Sequence, residues 1–222
     1  MLRTSGEPVP IRGAVYGVAV HAGISTAVGA AASDNAAPLF PVMFIKPANT
    51  FLANGGTVHL PVSMAEVEAC PVIAIVFSKD TRSASAAEAF DGVAGYILAI
   101  DLSEPGAGLF RPPIREKCRD GFLPIGPYII AKDSIGPLDE LRVRFEIDGK
   151  DVAVFTFGET QTLVAKLIED VSAFMTFRAG DVLLAARAPL ASRVRAGSRI
   201  AAVSADLGRL ECMVAHDDEV SK

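Results

Sequence analysis

The apolar and polar residues of this chain follow the short repeats of β-strands more often than those of helices. Continuous apolar runs predict buried strands over residues 14–20, 39–45, 72–77 and 93–102. The sequence Asn54-Gly55-Gly56 is a strong turn signal, and it predicts a further strand over residues 57–62.

The second half of the chain contains two predicted hairpins. Apolar and charged residues alternate strictly over residues 141–147, which indicates a half-buried strand. The turn sequence Asp148-Gly149 then predicts a return strand through Val152 and Val154. A last hairpin is predicted from two apolar runs around a turn: residues 199–205 and 210–214 on either side of Asp206-Leu207-Gly208.

Two segments predict helices. Five apolar residues repeat at helical spacing and predict one amphipathic helix, ending before Gly180, whose apolar stripe lies in the core: Val164, Leu167, Ile168, Val171 and Phe174. Ser85 and Glu88 form a capping-box sequence that opens a short helix over residues 86–90. Because strands dominate and no linker or repeat is visible, we predict one β-rich α+β domain over residues 14–222, preceded by a flexible tail over 1–13.

Composition narrows the class of protein. The chain has 222 residues, half of them hydrophobic, so a substantial core can form. The formal charge of −5 argues against a general nucleic-acid-binding protein. Three widely spaced cysteines without a CxxC pair suit a reducing, cytoplasmic location. Residues 13–32 are nearly uncharged, but they are rich in Gly and Ala, so a membrane span is not favoured.

The segment over residues 110–127, FRPPIREKCRDGFLPIGP, is the most informative stretch. It places four cations within nine residues: Arg111, Arg115, Lys117 and Arg119. Prolines and glycines surround these cations and predict a shaped loop rather than a helix face. A stiff cationic loop suits an anionic ligand such as a carboxylate, while the alternative is a solvated loop whose charges only aid solubility.

The order of several segments resembles the fumarylacetoacetate hydrolase family over nearly the whole chain from about residue 14. The matching pieces are PVMFIKP at 41–47, DGVAGYILAIDLS at 91–103, KCRDGFLPIGP at 117–127, LRVRFEIDGK at 141–150 and FMTFRAGDVLL at 174–184. This resemblance implies a mixed β-roll/β-sandwich with few helices. The stretch FRPPIREKCRDGF further resembles the isomerase/decarboxylase branch of homoprotocatechuate (4-hydroxyphenylacetate) degradation, and within it the amino-terminal half or subunit.

The resemblance implies a divalent cation, Mg²⁺ or Mn²⁺, held by a Glu-x-Glu pair and a later Asp. Only Asp101 matches this set, because the Glu-x-Glu positions are Cys70 and Val72. A soft thiol and an apolar side chain hold such a hard cation poorly, so we expect no cofactor at this site. The alternative is a shifted strand register that brings Glu66 or Glu68 into use.

The hydrolytic members of the family carry a His-x-x-Glu pair after the first strand and a Gly-Thr-Pro turn near the end of the site. The first region here reads HAGISTAVGAAA, so His21 is expected to be a hydrogen-bonded structural histidine. Ala186-Arg187-Ala188 replaces the turn. Carbon–carbon hydrolysis is therefore not favoured.

Cationic residues of the resemblance are retained. Lys46 and Lys117 match family lysines, and Arg111 and Arg119 match arginines of the branch. The implied catalytic residues are Lys46, Lys117 and Asp101, and the implied substrate-binding residues are Arg111, Arg119 and Arg187. A decarboxylation and a 1,3-proton shift both pass through an enolate, whose charge these cations would have to stabilise in place of a metal. The alternative is that both lysines are relics in a degenerate pocket.

Two functions stay open, with a weaker third. The first is a decarboxylase or isomerase acting on a 5-oxopent-3-ene-1,2,5-tricarboxylate or 2-hydroxyhepta-2,4-diene-1,7-dioate type of substrate in aromatic catabolism. The second is a non-catalytic subunit that supports a metal-bearing paralogue, and the third is an acylpyruvase or fumarylacetoacetate-type hydrolase. The mean hydropathy of +0.37 in a chain of this size predicts a homodimer or a paralogous partner subunit.

Overall fold

A computed structural model of the chain describes residues 11–21, 24–25, 40–106 and 113–217. Within these residues the chain forms fourteen strands: β1 Val15–His21, β2 Ile24–Ser25, β3 Val42–Lys46, β4 Phe51–Leu52, β5 Thr57–Leu60, β6 Glu66–Phe77, β7 Val93–Ser103, β8 Leu123–Ala131, β9 Arg142–Ile147, β10 Lys150–Thr156, β11 Val182–Arg187, β12 Ser192–Arg195, β13 Arg199–Ser204 and β14 Gly208–His216. The same residues contain two α-helices, α1 Ile114–Lys117 and α2 Gln161–Ser172, and three short 3₁₀ helices, Ala48–Thr50, Ala86–Glu88 and Lys132–Ser134. This architecture confirms the predicted β-rich α+β class.

The larger of the two sheets has the strand order β2-β1-β11-β6-β7-β8-β4, with β3 added on β1 and β12 on β6. Its centre is the long antiparallel pair β6 and β7, in which Cys70 lies opposite Asp101. These two strands are apolar on both faces because both faces are covered, which explains why they read as continuous apolar runs.

The smaller sheet has the order β10-β9-β13-β14-β5. The main core contains apolar residues from both sheets, together with Val164, Leu167, Ile168 and Val171 of α2. A second apolar layer covers the opposite face of the larger sheet and includes Phe44, Ile97 and Ala99. That second face carries Asp101, because Ile97, Ala99 and Asp101 alternate along β7.

Both predicted hairpins form, but the first contains a β-bulge. The pairing of β10 with β9 shifts between Asp151 and Ala153. A bulge turns the following side chains over, so Ala153 and Phe155 pack toward the core. The side chains of Val152 and Val154 are 47% and 45% exposed. The return strand through Val152 and Val154 was predicted correctly, and its inward side chains are those of Ala153 and Phe155.

The helical predictions are confirmed in outline and wrong in two details. The capping box of Ser85 and Glu88 is present, but it opens only one 3₁₀ turn that ends at Glu88. The predicted stripe holds for four residues of α2, whereas Phe174 follows the helix end and is 57% exposed. Phe177 is buried instead and stacks on Phe77, with ring centroids 4.4 Å apart.

The prediction of a loop over residues 110–127 is only partly correct. Residues 114–117 form the short helix α1, and β8 begins at Leu123, so Pro124 and Gly126 belong to a strand. Pro124 is the second residue of β8, near the strand end, where a missing N–H is tolerated. Arg111 lies outside the described residues. In the part of the chain that the structure describes, no helix is long and apolar enough to cross a membrane.

Candidate active site

Asp101 is the centre of a group of buried charged side chains on the second face of the larger sheet. Asp101 is only 2% exposed to solvent. It follows the apolar residues Ile97 and Ala99 on the same face of β7, and its neighbour across the ladder is Cys70. An ionised carboxylate buried this deeply requires cationic partners.

Lys46, the last residue of β3, provides one of these partners. Its ammonium donates hydrogen bonds to three backbone carbonyls, those of Leu102 at 2.9 Å, Lys117 at 2.8 Å and Phe122 at 2.9 Å. Lys46 Nζ also lies 2.8 Å from Asp101 Oδ1, and the residue is 1% exposed. An ammonium has three N–H groups, so the carbonyls occupy all of them. Asp101 Oδ1 accordingly accepts no aligned hydrogen bond from the described residues.

Lys117, at the end of α1, is the second partner. Its ammonium donates a hydrogen bond of 2.7 Å to Asp101 Oδ2 and lies 4.4 Å from the centre of the Phe44 ring. Phe44 and Lys46 alternate along β3 and share the buried face of that strand. The Phe44 ring occupies the space that a Cβ on Gly17 would need, so glycine at position 17 permits this arrangement.

Arg187, at the end of β11, is the third cation. Its Nη1 lies 4.0 Å from Asp101 Oδ2, and its side chain is 14% exposed. The register of β11 on β6 places Arg187 opposite Val72, beside the ladder that joins Cys70 to Asp101. The structure thus brings together four of the six residues that the sequence indicated: Lys46, Asp101, Lys117 and Arg187.

The charges of this group are unbalanced. Burial alone would raise the pKa of the Asp101 carboxyl, but the nearby ammonium groups of Lys117 and Lys46 outweigh it and hold this pKa well below its usual range. Burial lowers the pKa of Lys46 to about 8, against the opposing effect of Asp101. The three cations outnumber the one carboxylate that they contact, Asp101.

Glu68 is a further buried carboxyl on this face. It precedes Cys70 by two residues on β6, lies opposite Ser103 and Arg193, and is 7% exposed. Burial raises the pKa of its carboxyl, and the attraction of Arg193 and Lys117 lowers it only in part. Glu66, the other glutamate that a shifted strand register would bring into use, is paired with Arg193.

The side chains around Asp101 do not fit a divalent cation. The Cys70 thiol lies 3.6 Å from the carbonyl oxygen of Ala188, and burial raises its pKa, so it is held as a neutral thiol. Val72 is 1% exposed and supplies no ligand atom. Over residues 11–21, 24–25, 40–106 and 113–217, no three His, Cys, Asp or Glu side chains are arranged to hold a metal ion. The expectation that the protein binds no such cation stays a prediction.

Arg119 does not join this group through an ion pair. Its Nη2 lies 3.3 Å from Glu104 Oε1, and Arg115 Nη2 lies 3.4 Å from the same oxygen. Arg119 Nε is buried and has no hydrogen-bond partner among the described residues. Arg119 and Arg115 line an open cleft of about 520 Å³ next to Pro105. A substrate carboxylate would therefore have to compete with Glu104 for the Arg119 guanidinium.

Some features of the site were not predicted from the sequence. The Phe44 contact with Lys117 has a local signal, because Phe44 and Lys46 alternate on one strand. The carbonyl partners of Lys46 have no sequence signal, because any residue supplies a carbonyl. Arg111 and the side chain of His21 lie outside the described part of the chain, so their expected roles are unchanged.

The fold agrees with comparisons to known proteins. The sequence profile of the fumarylacetoacetate (FAA) hydrolase C-terminal domain matches residues 11–215. The chain therefore belongs to the fumarylacetoacetate hydrolase family. It is 32% identical over 188 residues to a 4-hydroxyphenylacetate degradation bifunctional isomerase/decarboxylase of Salmonella dublin, in an alignment that covers 85% of this chain and 43% of that protein. The chain thus spans less than half the length of this relative.

Solved structures with the same fold cover almost all of the chain. A 5-carboxymethyl-2-hydroxymuconate delta-isomerase from Mycobacterium smegmatis matches with a TM-score of 0.71 at 23% identity, over 94% of this chain and 81% of that one. A maleylpyruvate hydrolase from Sphingobium sp. SYK-6, solved with manganese(II) and pyruvate, matches with a TM-score of 0.74 at 22% identity, over 95% of this chain and 73% of that one. At this level of identity the likeness establishes the fold alone.

Proposed function

We propose that the protein is an enzyme that decarboxylates or isomerises a small, anionic keto or enol carboxylate, and that it acts in the breakdown of aromatic compounds. The substrates we favour are of the 5-oxopent-3-ene-1,2,5-tricarboxylate or 2-hydroxyhepta-2,4-diene-1,7-dioate type. The 4-hydroxyphenylacetate isomerase/decarboxylase relative supports this choice. The cysteine pattern favours a cytoplasmic location for this enzyme.

The excess of buried positive charge is the observation that carries the proposal. Lys46, Lys117 and Arg187 surround the Asp101 carboxylate. Glu68 is a further buried carboxyl on the same face. Fixed cations in a site that excludes water stabilise a developing negative charge more strongly than they do in bulk water. A group in which three cations contact one carboxylate is therefore suited to an anionic substrate and its enolate.

Both proposed reactions place negative charge on an enolate oxygen. In a decarboxylation the bond to the leaving carboxylate breaks, its electron pair moves toward the keto oxygen, CO₂ leaves, and the enolate then takes a proton from water. In a 1,3-proton shift a base takes a proton from one carbon, the electron pair is held as an enolate, and the protonated base or water returns a proton to another carbon. In both reactions Lys117 and Arg187 would stabilise the enolate oxygen, and Asp101 would keep both cations in place.

Direct assays test the proposal. The purified protein would be given both substrate types, with CO₂ release and the ultraviolet absorbance of the conjugated product as the two measurements. We expect turnover by the native protein and a loss of roughly 100-fold or more in Lys117→Met, which is the scale of a single electrostatic donor. Lys132→Met is the matched control, because Lys132 is exposed and donates to the carbonyl of Phe90, at 3.4 Å. Equal rates with the native protein and Lys117→Met would refute the proposed role of this group.

The second candidate function is that of a non-catalytic subunit. It is favoured by Cys70 and Val72, which offer no carboxylate beside Asp101. On this alternative the protein would stabilise a paralogue that carries an intact Glu-x-Glu pair. Co-purification from the native cell, followed by activity assays of the partner with and without this chain, separates the two functions. A hydrolase function is not proposed, because Arg187 lies where the hydrolytic turn was expected.

A further inference from the structure

The two lysines beside Asp101 differ in how many of their N–H groups are in use. The Lys46 ammonium donates to the carbonyls of Leu102, Lys117 and Phe122, which occupies all three N–H groups. The Lys117 ammonium donates to one oxygen, Asp101 Oδ2, and otherwise contacts the face of the Phe44 ring. Among the described residues, only the second lysine therefore has N–H groups left for a ligand.

The partners of Lys46 belong to three segments that are distant in sequence. Leu102 is near the end of β7, Lys117 ends α1, and Phe122 precedes β8; they are 56, 71 and 76 positions from Lys46. The Phe122 carbonyl also accepts a hydrogen bond of 3.2 Å from the Leu102 N–H, so the Lys46 ammonium is a second donor there. By donating to all three carbonyls, one ammonium joins segments that are distant from Lys46 in sequence.

These contacts form a closed ring that includes Asp101. Lys46 Nζ holds the carbonyl of Lys117 and lies 2.8 Å from Asp101 Oδ1, while Lys117 Nζ holds Asp101 Oδ2. Lys46 therefore contributes to the position of the Lys117 backbone, together with the direct hydrogen bond from the Leu102 N–H to the Phe122 carbonyl. Asp101 sets the direction of the Lys117 side chain. An ion pair has a fixed geometry only where the backbones of both partners are fixed.

From these contacts we propose that Lys46 is a positioning residue that does not contact the substrate. Its ammonium fixes the segment over residues 117–122 against the end of β7, and this segment in turn presents the Lys117 ammonium to the ligand. The kinetic consequence rests on the proposed function, whereas the structural consequence does not. The inference differs from the catalytic role that the family resemblance implies for Lys46.

Cys118 provides a reporter of this positioning. It follows Lys117 directly, its thiol lies 3.3 Å from the carbonyl oxygen of Ile45, and it is partly exposed. The other two cysteines, Cys70 and Cys212, are 1% and 2% exposed. Burial raises the pKa of the Cys118 thiol and the ammonium groups of Lys46 and Lys117 oppose this rise, so labelling with Ellman's reagent is compared at several pH values and followed by peptide mapping. The part of the rate change that is independent of thiol ionisation measures the local opening of the segment next to Lys117.

The test compares the native protein with three folded variants, checked by circular dichroism. We expect Cys118 in Lys46→Met to react roughly tenfold faster or more, because three buried carbonyls lose the ammonium that joins them. In Lys117→Met the reaction should stay within about twofold of native, because the backbone contacts of Lys46 remain. Lys46→Arg should open the segment as Lys46→Met does, since the larger guanidinium keeps the charge but not the compact geometry.

The outcomes separate the possible roles. A Cys118 labelling rate equal to that of the native protein in a folded Lys46→Met variant would overturn the proposal. The same rate together with full turnover in Lys46→Arg would also overturn it. If Lys46→Met does not fold, the labelling rates of Lys46→Arg and Lys117→Met still test the proposal. Faster Cys118 labelling in Lys117→Met alone would assign the positioning role to Lys117 and overturn it. For turnover, we expect Lys46→Met to lower kcat while KM changes less. Altered labelling in a protein without turnover would refute the proposed enzyme and leave the positioning role intact.

Discussion

Cys70 lies directly across the β6–β7 ladder from Asp101, so a neutral thiol occupies a position where the family resemblance implies a metal-binding carboxylate. Lys46 and Lys117 lie on the two oxygens of Asp101 instead. The buried carboxylate therefore has its charge compensated within the chain, and this relationship leads to the first prediction.

We predict that the purified protein holds well under one Mg²⁺ or Mn²⁺ per chain. Cys70 and Val72 supply no hard oxygen ligand, and the two ammonium groups beside Asp101 repel a further cation. Elemental analysis of the protein measures this directly. A stoichiometric ion would contradict it and would indicate Glu66 or Glu68 as ligands.

A variant with two added carboxylates tests the same explanation by supplying the missing metal ligands. Cys70→Glu combined with Val72→Glu would place two carboxylates on the strand beside Asp101 and offset the excess positive charge. We expect this double variant to bind Mn²⁺ in calorimetric titration. The matched control, Cys70→Gln with Val72→Gln, has a similar shape without the charge and should bind none.

Asp101→Asn is expected to destabilise the fold by about 3–5 kcal/mol at pH 7, because it leaves buried cations without their carboxylate. The folded-state pKa of Asp101 is lowered, so its contribution is fully present above the unfolded pKa of about 3.9 and is lost as the pH falls toward the folded value. The difference in the free energy of unfolding between the native protein and Asp101→Asn should therefore become smaller below about pH 4.

Urea unfolding at pH 7 and at acidic pH measures this difference. Asp151→Asn is the control, because Asp151 pairs with Arg144 at the surface, 45% exposed on both sides, and should contribute about 1 kcal/mol or less. An Asp101→Asn variant as stable as the Asp151→Asn variant would show that the cations around Asp101 are not held as an ionic group.

Arginine-to-lysine changes separate the two places where a carboxylate ligand could bind. We expect Arg187→Lys to weaken the binding of a non-reactive dicarboxylate by about 1–3 kcal/mol, since lysine cannot form two parallel hydrogen bonds to one carboxylate. Arg119→Lys should weaken it less, because Glu104 already engages that guanidinium. Calorimetric titration gives both binding free energies. A larger loss of binding in Arg119→Lys would indicate that the ligand binds in the cleft beside Glu104.

We predict that the protein forms a dimer, either with itself or with a paralogous subunit. Phe40, Val42 and Ile45, next to or in β3, are 59%, 41% and 51% exposed in the single chain. Covering such side chains in an interface is favourable. Light scattering of the purified protein should give about twice the 23.2 kDa of one chain. A mass of one chain at micromolar concentration would exclude the homodimer.

The sequence by itself determined the local elements. Strict alternation identified β9, the turn signals located both hairpins, and continuous apolar runs located the doubly covered strands β6 and β7. These features depend on the period of each element and on neighbours a few residues away, so they can be read from a short window. The segment order also led to the family, and it indicated the residues that meet at Asp101.

Only the tertiary structure decided how those residues interact. Lys46 and Lys117 look equivalent in the sequence, yet one ammonium is used by three carbonyls and the other is not. The outward turn of Val154 depends on a bulge in the pairing of two strands, and Arg119 pairs with a glutamate 15 positions away. Such partners are set by strand register and by contacts between distant segments, which no local repeat of apolar and polar residues specifies.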